Sequence, residues 1–267
     1  MKLQTNCISI GKMTNTDSKN AQIFVMCHKP VDYNIPANTL YTPIQCGAAI
    51  SDKDICDLKD NTGDNISSLN PFYLETTATY WIWKNRSESK YVGQCQYRRQ
   101  IIFDENTDFD EIFKDHDFIA AYPIYFACDV RTQYVASHII DDLNMVESII
   151  HDKFSEYESG WNACMINNYL YYSAGFVMKS HDYDRYCEFL FGILDEFRKR
   201  FGLNTIDDVK QHVIDAITTG KLKGIKGRDV DYQMRIGGYL AERIFTAFVL
   251  SNFKKPYFVK YKKYENV

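Results

Sequence analysis

Residues 174–202 have the sequence AGFVMKSHDYDRYCEFLFGILDEFRKRFG, in which a short apolar run leads directly into an amphipathic pattern. The run AGFVMK, residues 174–179, is typical of a buried strand. Beyond it, a helix that begins at Asp182 or Asp184 carries a wide apolar stripe, formed by Phe189, Leu190, Ile193, Leu194 and Phe197. A cationic run and then Gly202 end that helix, as the helix dipole and a left-handed terminal residue favour. A strand followed at once by such a helix is typical of an α/β fold.

The same alternation of strand and helix continues along the chain. We predict strands at 22–27, 91–97, 117–123 and 257–261, and helices at 72–85, 141–158, 207–219 and 231–251. Because the two kinds of element alternate, we expect an α/β fold, a single domain with a mixed, mostly parallel sheet flanked by helices. The polar residues 1–20 are predicted to be an N-terminal leader, and residues 21–267 to be the folded domain.

Composition excludes several classes of protein. The chain has 267 residues, 45% of them hydrophobic, which is ample for a buried core. Its formal net charge of −4 argues against a nucleic-acid partner, because phosphate binding needs a cationic face. The eight cysteines lack zinc-finger spacing, and no apolar run approaches the roughly 20 residues that span a bilayer. Since the first residues do not resemble a secretory signal, we expect a cytoplasmic protein.

Candidate site residues lie where predicted strands end, because ligands of an open α/β sheet bind at the carboxyl ends of its strands. His28 and Lys29 follow the first strand, and Gln96-Tyr97-Arg98-Arg99 ends the strand over 91–97. Two adjacent arginines suit a diphosphate, which they bind through bidentate hydrogen bonds. Tyr97 suits stacking on a base or a sugar. The alternative is an ordinary strand end with solvated arginines.

A second candidate is the loop DNTGDNIS, residues 60–67, within the irregular stretch 29–70. A loop of that length in a compact domain is usually functional. Its turn can present backbone N–H groups to an anion, or side-chain oxygens to sugar hydroxyls. An ordinary Asx-turn loop without a ligand is the alternative. The candidate residues of this loop are Thr62, Gly63, Asp64 and Asn65.

Carboxylates and glycines elsewhere carry weaker signals. Five Asp-x-Asp pairs offer ligands for Mg²⁺ or Mn²⁺, but most stand at predicted helix starts, where aspartate caps a helix. We therefore assign no metal ligand. Gly237-Gly238 in the last helix predicts a close contact or a bend, since glycine costs a helix about 1 kcal/mol relative to alanine. Glu242 and Arg243 form either a surface ion pair or part of a site.

Taken together, these segments resemble a family of bacterial capsular and exopolysaccharide glycosyltransferases long catalogued as a domain of unknown function, the 4422 family. The resemblance covers about residues 22–250 and rests on the order and spacing of IFVMCHKP, YTPIQCGAAI, DNTGDNIS, NPFYLETTATYWIWKN, YVGQCQYRR, AGFVMKSHDYDRYCEFLFGILDEFRKR and YLAERIF. It implies a GT-A-like fold. It also implies inverting transfer of a hexose, with galactofuranose as first candidate, from a UDP-sugar to a capsular, exopolysaccharide or O-antigen glycan.

The resemblance implies roles for the candidate residues. The strand YVGQC stands where such folds commonly carry a metal-binding Asp-x-Asp, so Arg98 and Arg99 would hold the diphosphate without a metal. Gln96 stands where the family pattern has histidine, and Tyr172-Ser173 where it has Phe-Asn. Inversion needs a general base, for which Glu242 is the first candidate and Asp64 the second. The other expected substrate contacts are His28, Lys29 and Gln45 near the nucleotide, Thr62, Gly63 and Asn65 at sugar hydroxyls, and Gln96, Tyr97 and Ser173.

Two alternatives stay open at this point. A metal-dependent or retaining transferase on the same fold would use an Asp-x-Asp pair with Mn²⁺ or Mg²⁺, whereas a non-catalytic glycan-binding subunit would bind sugar without turnover. The expected partners are a UDP-sugar and a lipid-linked glycan acceptor, reached by peripheral contact at the inner face of the membrane. The basic residues within 221–228 and in the terminal KKPYFVKYKK are the candidates for contact with an anionic surface.

Overall fold

The computed structural model describes residues 19–29, 35–36, 38–222 and 229–264. The predicted leader lies outside these residues except for its last two positions, which open the first strand. Most of the predicted basic loop, residues 223–228, also lies outside them. Within the described ranges, no helix is long and apolar enough to cross a membrane.

The strands assemble into one large sheet and a small two-stranded one. The described strands are β1 (Lys19–Cys27), β2 (Tyr41–Gln45), β3 (Leu58–Lys59), β4 (Ser89–Gln96), β5 (Arg99–Ile101), β6 (Phe118–Ala121), β7 (Ile124–Tyr125), β8 (Tyr169–Leu170), β9 (Gly175–Lys179), β10 (Pro256–Val259) and β11 (Tyr261–Lys263). The main path of the large sheet has the order β10-β6-β9-β4-β1-β2-β3. Only β9 runs antiparallel to its neighbours on this path. The predicted mixed, mostly parallel sheet is thus confirmed.

Helices connect the strands and cover the sheet. The described helices are α1 (Asn70–Tyr73), α2 (Thr76–Asn85), α3 (Phe109–Asp115), α4 (Val130–Val135), α5 (Ile140–Lys153), α6 (Glu158–Ile166), α7 (Ser180–Phe201), α8 (Ile206–Thr218), α9 (Val230–Gln233) and α10 (Ile236–Asn252). The helix predicted over 72–85 is interrupted at Leu74, and the one over 231–251 is interrupted before Ile236. The strand predicted over 257–261 is divided between β10 and β11.

Gly160 marks a contact between helices rather than the end of one. The helix predicted over 141–158 is shorter, because α5 ends at Lys153 and Gly160 lies inside the next helix, α6. A Cβ atom on Gly160 would lie 2.4 Å from the carbonyl oxygen of Ala247 in α10. The glycine therefore lets α6 and α10 pack closely.

The sheet separates two layers of apolar side chains. Phe24 and Met26 face the larger layer, which includes residues of α5, α6, α7 and α10. Ile23 and Val25, alternating with them along β1, face the smaller layer beneath α3. Burying such a side chain contributes about 1.5–3 kcal/mol. Both faces therefore anchor β1, which fixes the position of His28 just beyond its end.

The carboxyl ends of β1, β4 and β6 open at one edge of the sheet. Because β9 runs in the opposite direction, its first residues lie at this same edge. His28, Arg98 and Ser173, which adjoin three of these strand ends, are thereby brought to one side of the molecule.

Candidate functional site

The two predicted arginines occupy a tight turn between β4 and β5. Gln96 pairs with Arg99 across the two strands, so Tyr97 and Arg98 form the turn itself. β11 extends this ladder by placing Lys263 opposite Arg99. Backbone pairing on both sides therefore fixes the arginines, as a flexible loop would not.

Both arginines carry a charge that no carboxylate of the described residues pairs with. The Arg98 guanidinium lies 5.1 Å from the Tyr97 ring centre, and that of Arg99 lies 5.2 Å from the Tyr172 ring centre. Within the described part of the chain, neither arginine forms an ion pair, and the buried Nε of Arg98 has no hydrogen-bond partner. Such groups suit an anionic ligand.

His28 contacts the same turn. Its Nε2 lies 3.1 Å from the hydroxyl of the fully buried Tyr97, and the two rings meet edge to face at 4.9 Å. Partial burial, together with the nearby charges of Arg98, Lys29 and Arg235, lowers the pKa of His28 to about 4. The imidazole is therefore neutral at physiological pH. Arg235, which directly precedes α10, is a cation that sequence analysis did not single out.

Glu75 is the main site residue that sequence analysis missed. It stands at the start of α2, and its carboxylate accepts a hydrogen bond from the side-chain amide of Gln96. Burial raises the pKa of Glu75 and the charge of Glu242 raises it too, whereas the hydrogen bond from Gln96 and the charge of Arg235 oppose the increase. In the sequence, Glu75 resembled an ordinary acid at the positive end of a helix.

A strained residue and two glycines place Glu75. Leu74 has φ +53° and ψ −136°, a conformation that is sterically unfavourable for a residue with a side chain. A Cβ atom on Gly238 would lie 2.7 Å from the Leu74 side chain, and one on Gly237 would lie 2.6 Å from the ring of Phe72. The close contact that the glycine pair predicted is thus confirmed. It presses α10 against the segment that carries Glu75.

The segment before β9 supplies the third side of the site. The Tyr172 side chain is 5% exposed, and its hydroxyl has no hydrogen-bond partner among the described residues. Burial raises the pKa of Tyr172, and the charges of Glu75 and Glu242 add to the increase while Arg99 opposes it. Ser173 is buried, and its carbonyl accepts a hydrogen bond of 2.6 Å from Gln94.

Glu242 approaches this site from α10. Its Oε2 lies 3.2 Å from Nη1 of Arg243, whose side chain is only 3% exposed. Arg243 also donates to the carbonyl of Tyr239 at 2.7 Å. The pair is therefore not the solvated surface pair that we weighed, because the arginine is held inside the protein.

Gln45 and the 60–67 loop have structural partners of their own. The buried Gln45 amide donates to the carbonyl of Lys53 at 2.8 Å, and its oxygen accepts from the N–H of Ile55 at 3.0 Å. Both polar ends of this side chain thus hold the following loop, which is a reason to remove Gln45 from the nucleotide contacts. Asp60, also buried, accepts from the N–H of Gly47 at 2.8 Å.

The candidate residues within the loop pack on the middle and the C-terminal end of α2. Thr62 accepts a hydrogen bond of 3.0 Å from the Trp81 indole, and Asp64 accepts one of 3.1 Å from the Tyr80 hydroxyl. Asn65 donates to the carbonyl of Gly63 at 2.9 Å. Since α2 has 10 residues and a helix rises about 1.5 Å per residue, this loop stands near the opposite end of the helix from Glu75. Its contacts with a sugar stay predictions.

The Asp-x-Asp pairs have other partners. Asp108 and Asp229 cap α3 and α9, as the capping alternative predicted. Asp117 accepts hydrogen bonds from the backbone of 254–255, and Asp184 pairs with Arg86 at 2.6 Å. Within the described ranges, no group of three or more His, Cys, Asp or Glu side chains is arranged to hold a metal ion.

The sheet topology and its surrounding helices define a GT-A-like α/β fold. The chain belongs to the family described as Domain of unknown function (DUF4422), whose sequence pattern matches residues 22–222. The family that the motifs indicated is thus confirmed.

One solved structure shows the same fold. It is described as the apo structure of WbbM, a bifunctional glycosyltransferase, and superposes with a TM-score of 0.73 at 24% identity. The match covers 93% of this chain but 46% of the WbbM chain, so the chain spans a little under half of that protein. No curated protein matches the sequence.

Proposed function

We propose that the protein is a glycosyltransferase that moves a hexose from a UDP-sugar to a glycan acceptor with inversion. The observation that carries this proposal is the cationic edge formed by Lys29, Arg98, Arg99 and Arg235. None of the four forms an ion pair with a described carboxylate. A nucleotide-sugar has a diphosphate of matching charge, and α/β folds bind such ligands at this edge.

The arginines explain how the sugar–phosphate bond is broken. As that bond breaks, negative charge builds on the departing diphosphate, and fixed cations at that position stabilise the transition state. Arg98 and Arg99 are already fixed by the β4–β5 turn, so little reorganisation is needed. In this proposal the arginines take the place of a metal ion, which fits the helix-capping and ion-pair contacts of the Asp-x-Asp pairs.

The nucleotide would lie beside His28, whose neutral imidazole is near Arg98 and within reach of a base or ribose attached to the bound diphosphate. The Tyr97 ring is fully buried and therefore not placed to stack on a base, but its hydroxyl contacts His28 at 3.1 Å and positions the imidazole. Gln96, by contrast, is engaged with Glu75, so we place it on the side of the transferred sugar.

An exposed aromatic surface supports a lipid-linked acceptor and contact with a membrane face. The exposed rings of Tyr122 and Phe258 stack at 5.4 Å, and Tyr125 and Ile166 are further large side chains exposed to solvent. Exposed lysines follow Phe258 in the C-terminal segment, at positions 260, 262 and 263. Aromatic rings and lysines are the residues favoured at the interface of an anionic membrane. We therefore propose peripheral contact here, at the cytoplasmic face.

The basic loop that we first considered for this contact has less support. Lys221 pairs with Asp141 at 2.7 Å, and Lys223, Lys226 and Arg228 lie outside the described residues.

The named function of the structural neighbour agrees with the proposed class of reaction. Family membership and the motif resemblance further favour a capsular, exopolysaccharide or O-antigen glycan as the product, with galactofuranose as the first donor sugar to test.

The test is sugar release and transfer across a panel of UDP-sugars that includes UDP-galactofuranose, first with EDTA and then with Mn²⁺. Turnover of one donor in EDTA is the expected result, and it names the sugar. Turnover that needs Mn²⁺ would instead favour a metal-dependent transferase. Binding of a glycan without turnover of any donor would favour a glycan-binding subunit.

A further inference from the structure

We infer that Glu75 is the general base that removes the proton from the acceptor hydroxyl, in place of Glu242 or Asp64. The assignment rests on the proposed function. It follows from the position of Glu75 between the cationic turn and α10, and from the partners of the three carboxylates.

The position of Glu75 is built into the fold. Leu74 adopts its unfavourable backbone conformation directly before Glu75, and the Asn70 side chain holds the Leu74 carbonyl through a hydrogen bond of 2.7 Å. Gly238 leaves the space that the Leu74 side chain fills. Strain of this kind persists where the surrounding structure enforces it, and it is common at active sites. Here it directs the carboxylate toward the end of β4.

The partner of Glu75 leaves it basic. Gln96 is neutral, so its amide orients the carboxylate without supplying a proton or a full positive charge. The other groups that face Glu75 are Glu242 and Arg235 from α10 and its start, and Tyr172 from the segment before β9. Burial and the neighbouring acid outweigh Arg235, so the pKa of Glu75 is raised. A base with a raised pKa accepts a proton more readily near neutral pH.

The two predicted bases are less suited to the task. The ion pair with the buried Arg243 occupies one oxygen of Glu242, at 3.2 Å. Asp64 is exposed, its carboxylate accepts from Tyr80 in the middle of α2, and its N–H donates to Asn85 at the end of that helix. Neither has a neutral partner within the cationic site.

An unpartnered hydroxyl marks a place for substrate beside Glu75. The Tyr172 hydroxyl lies in a 95% buried side chain, and within the described structure no group accepts or donates to it. Buried polar groups are nearly always hydrogen-bonded, so such a group in a site is expected to meet a ligand. Its ring also contacts the Arg99 guanidinium, which places it between the diphosphate side and the acids.

The acceptor oxygen attacks the anomeric carbon and forms the new C–O bond, while its proton moves to the Glu75 carboxylate. The bond from the anomeric carbon to the diphosphate oxygen breaks, and the nucleoside diphosphate leaves with the electron pair beside Arg98 and Arg99. Attack from the face opposite to the leaving group inverts the anomeric centre.

The test compares three variants with the wild-type chain for transfer rate, UDP affinity and melting temperature. Glu75→Gln keeps the shape and the partner but cannot accept the proton. We expect its transfer rate to fall by about 10²- to 10⁴-fold, with UDP affinity and melting temperature unchanged and the acidic limb of the pH–rate profile lost. Glu242→Gln should lose less of the transfer rate and should keep the acidic limb of the pH–rate profile. Glu111→Gln, on the exposed surface of α3, is the matched control and should equal the wild type.

The outcomes distinguish a wrong assignment of the base from a wrong proposed function. If Glu75→Gln binds UDP and transfers at the wild-type rate, the base assignment is wrong and the proposed function stands. If Glu242→Gln alone loses the rate and the pH limb, the base is Glu242. If the wild-type chain neither binds UDP nor transfers sugar, the proposed function fails, and this assignment with it.

Discussion

The side-chain amide of Gln96 donates a hydrogen bond to the carboxylate of Glu75, and this bond joins the end of β4 to the start of α2 inside the candidate site. Sequence analysis placed Gln96 in contact with substrate, whereas the structure gives it a protein partner. The contact connects the strand that ends in the arginines with the acid that we propose as the base. Changes at position 96 should therefore act through Glu75.

Replacing the amide should shift the pH dependence of the reaction. The hydrogen bond from Gln96 lowers the pKa of Glu75, so Gln96→Leu should raise that pKa further. Because the base must be ionised, the acidic limb of kcat/KM should move to higher pH. Gln211→Leu, the same change on the exposed face of α8, is the control. An acidic limb at the wild-type pH in Gln96→Leu would show that Glu75 does not control it.

Removing one arginine should affect turnover and leave stability intact. The Arg98 side chain forms no ion pair with a described residue, while its backbone carbonyl accepts from Tyr264 at 3.0 Å and would do so in Arg98→Ala. We expect kcat to fall by about 10²- to 10³-fold, as for other fixed donors to a developing anion. Melting temperature should stay the same. Arg131→Ala, which removes an arginine paired with Glu147, is the control for loss of a cation. An unaltered rate would remove Arg98 from the mechanism.

Gly237→Ala should destabilise the fold, although alanine is normally the better residue in a helix. The new Cβ would lie 2.6 Å from the Phe72 ring and 3.0 Å from its carbonyl oxygen, so one of the two segments must move. Overpacking of this kind costs about 1–3 kcal/mol in free energy of unfolding. Urea unfolding measures it.

The contact between Gly237 and Phe72 also predicts how the loss in free energy of unfolding can be reduced. Phe72→Leu in the Gly237→Ala background removes the Cε1 atom that the new Cβ would approach most closely, so the double variant should lose less than the sum of the single losses. A more stable Gly237→Ala chain would contradict the close packing of α1 and α10.

His138 should make the free energy of unfolding fall in mild acid. The ring is buried against Tyr239, and burial, followed by the charge of Arg243, lowers its pKa to about 4. An unfolded histidine has a pKa of about 6.5. Between these values the unfolded chain binds a proton that the folded chain does not, so stability is complete above about pH 6.5 and decreases toward pH 4.

The size of this effect can be measured with one variant. The lowering of the His138 pKa from about 6.5 in the unfolded chain to about 4 in the folded chain corresponds to a loss of up to about 3 kcal/mol in free energy of unfolding. Urea unfolding at pH 7.5 and pH 4.5 should show a smaller decrease for His138→Gln than for the wild type. Equal decreases in the two proteins would mean that another group is responsible.

Much of the fold could be predicted because its signals are local. The apolar run and the stripe within 174–202 indicate β9 and α7, and the observed helix differs only in beginning at Ser180. Arg98 and Arg99 could be proposed because a strand end and a pair of cations are both visible in sequence. In contrast, the break at Leu74 is a backbone conformation that no local pattern in the helical segment indicates.

Glu75 was missed for the same physical reason. Its burial depends on the contact between α1 and α10, whose sequences are far apart, and on the packing of Leu74 against Gly238. The glycine pair did predict a close contact but not its partner. Gln45 was overestimated because its place at a strand end was visible, whereas its bonds to the backbone of 53 and 55 were not.

The most direct test of the account is a calorimetric titration of the full chain with UDP in EDTA, repeated with Mn²⁺. If the cationic edge binds the diphosphate, UDP binds in EDTA with an affinity that weakens as salt is added, because the attraction is largely electrostatic. Mn²⁺ should then change little. Binding that appears only with Mn²⁺ would contradict the arginine site and move the diphosphate to carboxylates, and no binding under either condition would contradict the nucleotide-sugar function itself.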